Sequence, residues 1–404
     1  MKKIVLILVA LLSSLIGHAQ WQLTSGPLGA GHISSMTVKD STVFAGTETG
    51  GVFVTIDGGN SWIPANNGLT NLNDVKAMVA DNTYLFAGLG NSLSGTAVFS
   101  TTNDGASWSP AALQFIFFWS FAIKPGYLIA GTWDGVSVST NNGTSWNGFT
   151  TGLPSNASVA ALAYAGTKLF GGVSSSSVGG TGVFYSANNG TSWNAFNTGL
   201  TNTVVNKIAV VGSNVFAGTS SGVFVSATST AGWSAANTGL TNLNIKSFFS
   251  WGGILFAGTG DGIFFTADDG ANWTDISAGL PAVKNVYSIT SDTNYLYVGT
   301  DSAVYRRPIG EIVSGITEHK IVSSSINMYP NPSTSSLTIS MSDLEPGKEK
   351  YDISIFSFPG EKMLQQSLVE AKTNVDISSL SPGIYFVRIT DSSGKSETKK
   401  LVKM

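Results

Sequence analysis

The sequence predicts an all-β chain: a seven-bladed β-propeller followed by a small antiparallel β-sandwich. Two observations carry the propeller. One phrase recurs seven times at spacings of 40 to 46 residues: Phe44-Ala45-Gly46-Thr47, Phe86-Ala87-Gly88, Ile129-Ala130-Gly131-Thr132, Phe170-Gly171-Gly172, Phe216-Ala217-Gly218-Thr219, Phe256-Ala257-Gly258-Thr259 and Tyr297-Val298-Gly299-Thr300. Around each copy stand about four short runs rich in Val, Phe and Ile, divided by turn residues, which is strand behaviour. Four strands per 40–50 residues make one propeller blade, and a lone blade cannot bury both faces, so blades pack in a ring. A third observation separates the tail. Residues 21–310 hold nine Lys and Arg and thirteen Asp and Glu, whereas 311–404 hold ten and eleven in a third of the length.

The chain opens with a segment that reads as a secretory signal over residues 1–19. Lys2 and Lys3 precede the apolar run Ile4 to Leu12, and small residues lead to His18-Ala19-Gln20. That run is too short to span a bilayer. No later stretch is long and apolar enough to cross one; Phe115 to Trp119 reads as a buried strand. The chain has no cysteine, so its stability must come from burial. A net charge of −3 argues against nucleic acid as a partner.

Within the body, residues 20–310, six of the seven repeats end on a polar turn and a Trp: Trp62, Trp108, Trp146, Trp193, Trp233 and Trp273. Most continue to a Gly-Leu pair: Gly68-Leu69, Gly152-Leu153, Gly199-Leu200, Gly239-Leu240 and Gly279-Leu280. The seventh repeat stops after Val304-Tyr305 without a turn or Trp, while Trp21-Gln22-Leu23 and Gly26-Pro27-Leu28 stand alone at the start. The N-terminal strand is therefore expected to complete the last blade and close the ring. An open solenoid of the same repeats is the alternative.

The turn before Trp resembles the Asp-box, or BNR, repeat, Ser/Thr-x-Asp-x-Gly-x-Ser/Thr-Trp. Asp57 and Asp268 hold the acidic position, and Asn103, Asn141 and Asn188 replace it elsewhere. The turn from Ser226 to Trp233 has lost both Asp and Gly and is expected to differ. Asp or Asn accepts hydrogen bonds from turn amides, and Gly takes the left-handed position. Asp-box proteins include sialidases, xyloglucan-cleaving glycosidases, photosystem assembly factors and sorting receptors. The resemblance implies that the box is structural and that chemistry lies elsewhere.

A sialidase is excluded by composition. That family clamps a carboxylate with three arginines, whose planar forks meet it bidentately. The body has only Arg306 and Arg307, adjacent on one strand, and its only Glu is Glu48. Other glycosidases need two carboxylates about 5 to 10 Å apart. The face opposite the boxes offers Glu48, Asp74, Asp134, Asp261 and Asp301. Asp134 with Asp261 or Asp301 is the candidate catalytic set, and Trp133 beside Asp134 suits a pyranose ring. Glu48 and Trp119 complete the candidate binding residues. Lys76, Lys207 and Lys246 align at equivalent inner-strand positions and could place positive charge near the channel. The repeat is broken at Asn91–Thr96, Ser174–Thr181 and Phe115–Phe121, and function tends to sit at such breaks. No motif calls for a cofactor or a metal. The readings that follow are a non-enzymatic binding or scaffold module for glycan or protein, a carbohydrate-active hydrolase, and an adhesin-like coat protein.

A polar stretch over 311–325 reads as a linker. From 326 to 404 come Tyr329-Pro330-Asn331-Pro332, strands at Leu337–Ser340, Asp352–Phe356 and Lys362–Gln366, the block Asp376-Ile377-Ser378-Ser379-Leu380-Ser381-Pro382-Gly383-Ile384-Tyr385, and Lys399-Lys400-Leu401-Val402-Lys403. This order resembles the type A sorting domain of the type IX secretion system. The resemblance implies recognition by an outer-membrane translocon and a sortase, and delivery to the cell surface or beyond.

Overall fold

The computed structural model describes residues 20–70, 72, 74–90, 97–113, 117–175, 179–282, 284–314, 326–341, 351–357, 362–368, 370, 372–390 and 396–404. The expected signal segment 1–19, the turn Asn91–Thr96 and residues 176–178 of the longer turn lie outside them, as do Phe115 and Ile116.

The described residues before 309 form seven four-stranded antiparallel sheets. Sheet 1 is Ile33–Lys39, Thr42–Thr47, Val52–Thr55 and Ile63–Pro64. Sheets 2 to 6 repeat this up-and-down order, with first strands Val75–Ala80, Phe118–Lys124, Ser158–Ala165, Val205–Val211 and Ile245–Trp251. Sheet 7 takes Ser288–Ser291, Tyr295–Gly299 and Val304–Pro308, and its outer strand is Gln22–Leu23 from the chain's start. Gln22 pairs with Arg306 and Leu23 with Tyr305. First strands pack on the next sheet's first strand all the way round, and the last packs on Ile33–Lys39. The arrangement is propeller-like, and every described helix is too short to cross a membrane.

The recurring phrase is the second strand of each sheet. Phe44, Phe86, Phe170, Phe216, Phe256 and Tyr297 are all fully buried. A strand covered on both faces loses the apolar–polar alternation of a half-exposed one, which is why these strands read as continuous apolar runs.

The Trp residues join neighbouring sheets. The indole N–H of Trp108 donates to the Ala65 carbonyl at 2.7 Å, Trp233 to Phe196 at 2.6 Å, and Trp273 to Ala236 at 2.8 Å. Trp21 does the same for sheet 7, donating to Ile276 at 2.7 Å. The Gly-Leu phrase is explained by the same junctions. Gly68, Gly152, Gly199 and Gly239 hold φ between 85° and 93°. A Cβ on them would lie 2.0 to 2.4 Å from the backbone oxygen of the next sheet's Trp. Only glycine allows both that conformation and that approach.

The tail has two sheets. One orders Ile326–Tyr329, Ser336–Met341 and Lys372–Asp376; the other orders Lys362–Leu368, Tyr351–Ser357, Gly383–Thr390 and Ser396–Lys403. Leu337, Ile339, Ile353, Ile355, Val375, Ile377, Val387, Ile389 and Leu401 fill the core between them. A helix, Ile309–Ser314, runs into the expected linker 311–325, and its Ile309 and Ile312 are buried; residues 315–325 lie outside the described residues. The tail rests on sheet 6. Phe356 and Phe386 join the cluster around Trp251, with the Trp251 and Phe386 rings 4.6 Å apart. Arg388 pairs with Asp269 at 3.0 Å.

Candidate functional site

One face of the ring is structural. Five of the Trp-terminated turns share a hydrogen-bond set. The hydroxyls of Thr55, Thr101, Ser139, Ser186 and Thr266 donate to Asp57, Asn103, Asn141, Asn188 and Asp268 at 2.7 to 2.9 Å. Each hydroxyl accepts from the amide of Gly59, Gly105, Gly143, Gly190 or Gly270 at 2.8 to 3.2 Å. These residues spend their polar atoms on the turn itself. In the degenerate turn, Ser226 accepts instead from Gly232, six residues on, at 3.0 Å. Its Trp233 still reaches the neighbouring sheet, so the docking survives the loss of the motif.

Ser61 donates both its hydroxyl and its amide to Asp57, and these bonds hold the Asp57 carboxyl down to about 2. A depressed carboxylate adds stability above its ordinary pKa of 3.8 and loses it as pH falls through about 2. Asn keeps the geometry, as Asn103 shows by accepting the Ser107 amide at 2.9 Å. The difference in melting temperature between the wild type and Asp57→Asn is therefore expected to shrink on the acid limb between those two values. A constant difference from neutral pH to pH ~2 would contradict the assignment.

The opposite face carries the turns between second and third strands, where Glu48, Asp134, Asp261 and Asp301 stand on four different sheets. Glu48 pairs with His32 at 2.9 Å, and the His32 amide and ring hold its carboxyl below the ordinary value. His32 packs against Tyr287, ring centroids 4.6 Å apart and planes tilted by 34°. The Tyr287 hydroxyl donates to Asp301 at 3.1 Å, and the Asn285 side-chain amide donates to Asp301 at 3.0 Å. Glu48 and Asp301 are thus drawn into one network between sheets 7 and 1. Asp134 and Asp261 are not part of it: they stand on sheets 3 and 6, with two sheets between them on the shorter way round.

Trp133 is 50% exposed and Phe117 is 41% exposed, and their ring centroids are 5.8 Å apart. The Trp133 amide donates to the Phe117 carbonyl at 3.0 Å, which fixes the two chains side by side. The expected buried strand begins only at Phe118, which is fully buried. Phe117 lies before the ladder starts and turns outward, making an aromatic pair that the apolar run 115–119 concealed.

The first strands are kinked at one place. Ser34, Lys76, Trp119, Asn206 and Lys246 are each the unpaired residue of a bulge, and bulges re-aim side chains. The three lysines expected at equivalent positions do not all occupy one. Lys76 and Lys246 are equivalent, but Lys207 is one residue further on, paired with Gly218. That position holds Ser35, Ser120, Ser247 and Ser288 elsewhere, whose hydroxyls donate to backbone carbonyls in or just before a neighbouring first strand at 2.7 to 3.3 Å. Desolvation, with Lys76 and Lys246 adding repulsion, pushes the Lys207 ammonium down to about 8. Lys76 pairs with Asp74 at 2.7 Å and sits 5.9 Å from the Trp119 ring centroid; Lys246 sits 5.1 Å from that of Tyr287.

Arg306 and Arg307 do not face this region. Arg306 donates to the Gly58 carbonyl and to Asn60, and Arg307 reaches the Ile276 carbonyl at 3.4 Å. Both serve junctions between sheets.

Residues 327–404 match the family of secretion system C-terminal sorting domains. Such a tail implies export to the cell surface or beyond and an interaction with a type IX secretion system. Beta-agarase D of Zobellia galactanivorans is 32% identical over 77 residues, which are 19% of this chain and 14% of that protein. The extracellular domain of the putative hybrid two component system BT4673 from B. thetaiotaomicron superposes with a TM-score of 0.59 at 19% identity, over 80% of this chain and 46% of that one. A catalytically inactive virginiamycin B lyase from Staphylococcus aureus superposes with a TM-score of 0.58 at 10% identity, over 71% of this chain and 97% of that one. At such identities these structures speak for the fold alone. The chain spans about half the length of the first.

Proposed function

We propose that this chain is a seven-bladed Asp-box propeller, led by a signal peptide and exported by its sorting domain, that binds a glycan outside the cell without hydrolysing it. The observation that carries the reading is the exposed pair Trp133 and Phe117, with ring centroids 5.8 Å apart. Two large apolar rings side by side in water favour a partner that covers them. The apolar face of a pyranose ring fits an aromatic face, and Asp134 stands beside it to accept sugar hydroxyls.

Hydrolysis is the weaker reading because its carboxylates are dispersed. Asp301 is engaged by Tyr287 and Asn285, and Asp134 and Asp261 stand on separated sheets. A glycosidase needs its pair within about 10 Å across one bond.

The test is affinity electrophoresis of the full chain through gels containing a panel of plant, algal and host polysaccharides. Retardation by at least one polymer, with no new reducing ends, is expected. Passage unretarded through every gel would refute the glycan and point to a protein on the aromatic pair.

A further inference from the structure

Three acids near the inner rim are answered, while two donors there are not. Asp74 is held by Lys76, Glu48 by His32, and Asp301 by Asn285 and Tyr287. Lys207 has no carboxylate among the described residues, and the charges acting on it are two more lysines, Lys76 and Lys246. The indole N–H of Trp119, at the bulge beside Lys76, is buried with no acceptor among the described residues. Sheets 2 and 5 are not neighbours in the ring, so the repulsion between Lys76 and Lys207 runs across the space that the first strands enclose. An ammonium partly withdrawn from water beside like charges is costly unless an anion answers it. The rest of the ring fills the Lys207 position with serine or alanine, so packing does not require a cation there.

We propose that Lys207, Lys76 and Lys246, with the indole N–H of Trp119, form an anion site on the inner rim that takes the carboxylate or sulfate group of an acidic sugar. This deepens the glycan-binding reading by giving the sugar a charge. The aromatic pair on sheet 3 holds a ring while the lysines hold an acidic substituent, and Asp74 leaves the cluster net positive. Lysine suits a sulfate or carboxylate as a point charge where no planar fork is demanded.

The test is calorimetric titration of the full chain with oligogalacturonides, sulfated galactan fragments, neutral galactan fragments and inorganic sulfate. One acidic oligosaccharide should bind at least about tenfold more tightly than the neutral one, and Lys207→Met should remove that advantage. Which acidic arm responds separates carboxylate from sulfate. Lys207→Met removes a partly buried charge that faces like charges, so it should keep the wild-type melting temperature; Lys246→Met provides a second probe on the neighbouring sheet. Equal affinity for charged and neutral sugars, unchanged in Lys207→Met, would overturn the anion site and leave the aromatic reading standing. If no sugar binds but sulfate does, and Lys207→Met abolishes it, the site stands while the glycan reading falls. If nothing binds, sulfate included, the anion site is overturned.

Discussion

Trp21→Ala is expected to destabilise the folded chain by about 3–5 kcal/mol, the range for removing a large buried aromatic. Trp21 is 4% exposed and its indole N–H reaches the Ile276 carbonyl at 2.7 Å. Its amide donates to Ala278 at 3.2 Å, and the next two residues pair with the strand Val304–Pro308. The substitution therefore opens a cavity at the one junction where the two ends of the repeat array meet. The check is the urea midpoint, read against Trp133→Ala, whose exposed side chain should leave it within about 0.5 kcal/mol. An unchanged midpoint in Trp21→Ala would mean that the first strand does not close the ring.

Gly152→Ala is expected to cost about 2–4 kcal/mol, and Gly126→Ala about 1 kcal/mol. Both glycines have positive φ, 85° and 79°. A Cβ on Gly126 meets nothing within 4 Å, whereas one on Gly152 would lie 2.0 Å from the backbone oxygen of Trp193. Gly126 thus isolates the conformational strain. The excess at Gly152 measures the overlap, which is relieved only by parting sheets 3 and 4. Equal costs in thermal melts would show that the Gly-Leu phrase serves a local turn and not the junction.

Much of this architecture was legible because it repeats. A period near 40 residues, buried second strands and a Trp after each turn are local facts multiplied along the chain, and the missing seventh Trp pointed to Trp21. What escaped depends on single residues. Phe117 belongs to an apolar run, and only the start of the ladder at Phe118 decides that its ring faces water. The offset of Lys207, by contrast, was open to reading: it stands 11 residues before Gly218, whereas Lys76 and Lys246 stand 12 before Gly88 and Gly258, and the bulge common to all three sheets turns that one-residue difference into a different pairing position. The network of Glu48, His32, Tyr287 and Asp301 crosses the ring closure between residues far apart in sequence. The contact of Arg388 with Asp269 joins two parts of different composition, and no periodicity announces it.

The most direct test of the binding face is a paired migration of the wild type and Trp133→Ala through gels with and without the retarding polysaccharide. The wild type is expected to be held back, Trp133→Ala to migrate as in the empty gel, and both to release no reducing sugar. Equal retardation of the two proteins would contradict the aromatic platform. Reducing ends that disappear in Asp134→Asn would contradict the non-enzymatic reading and restore the hydrolase.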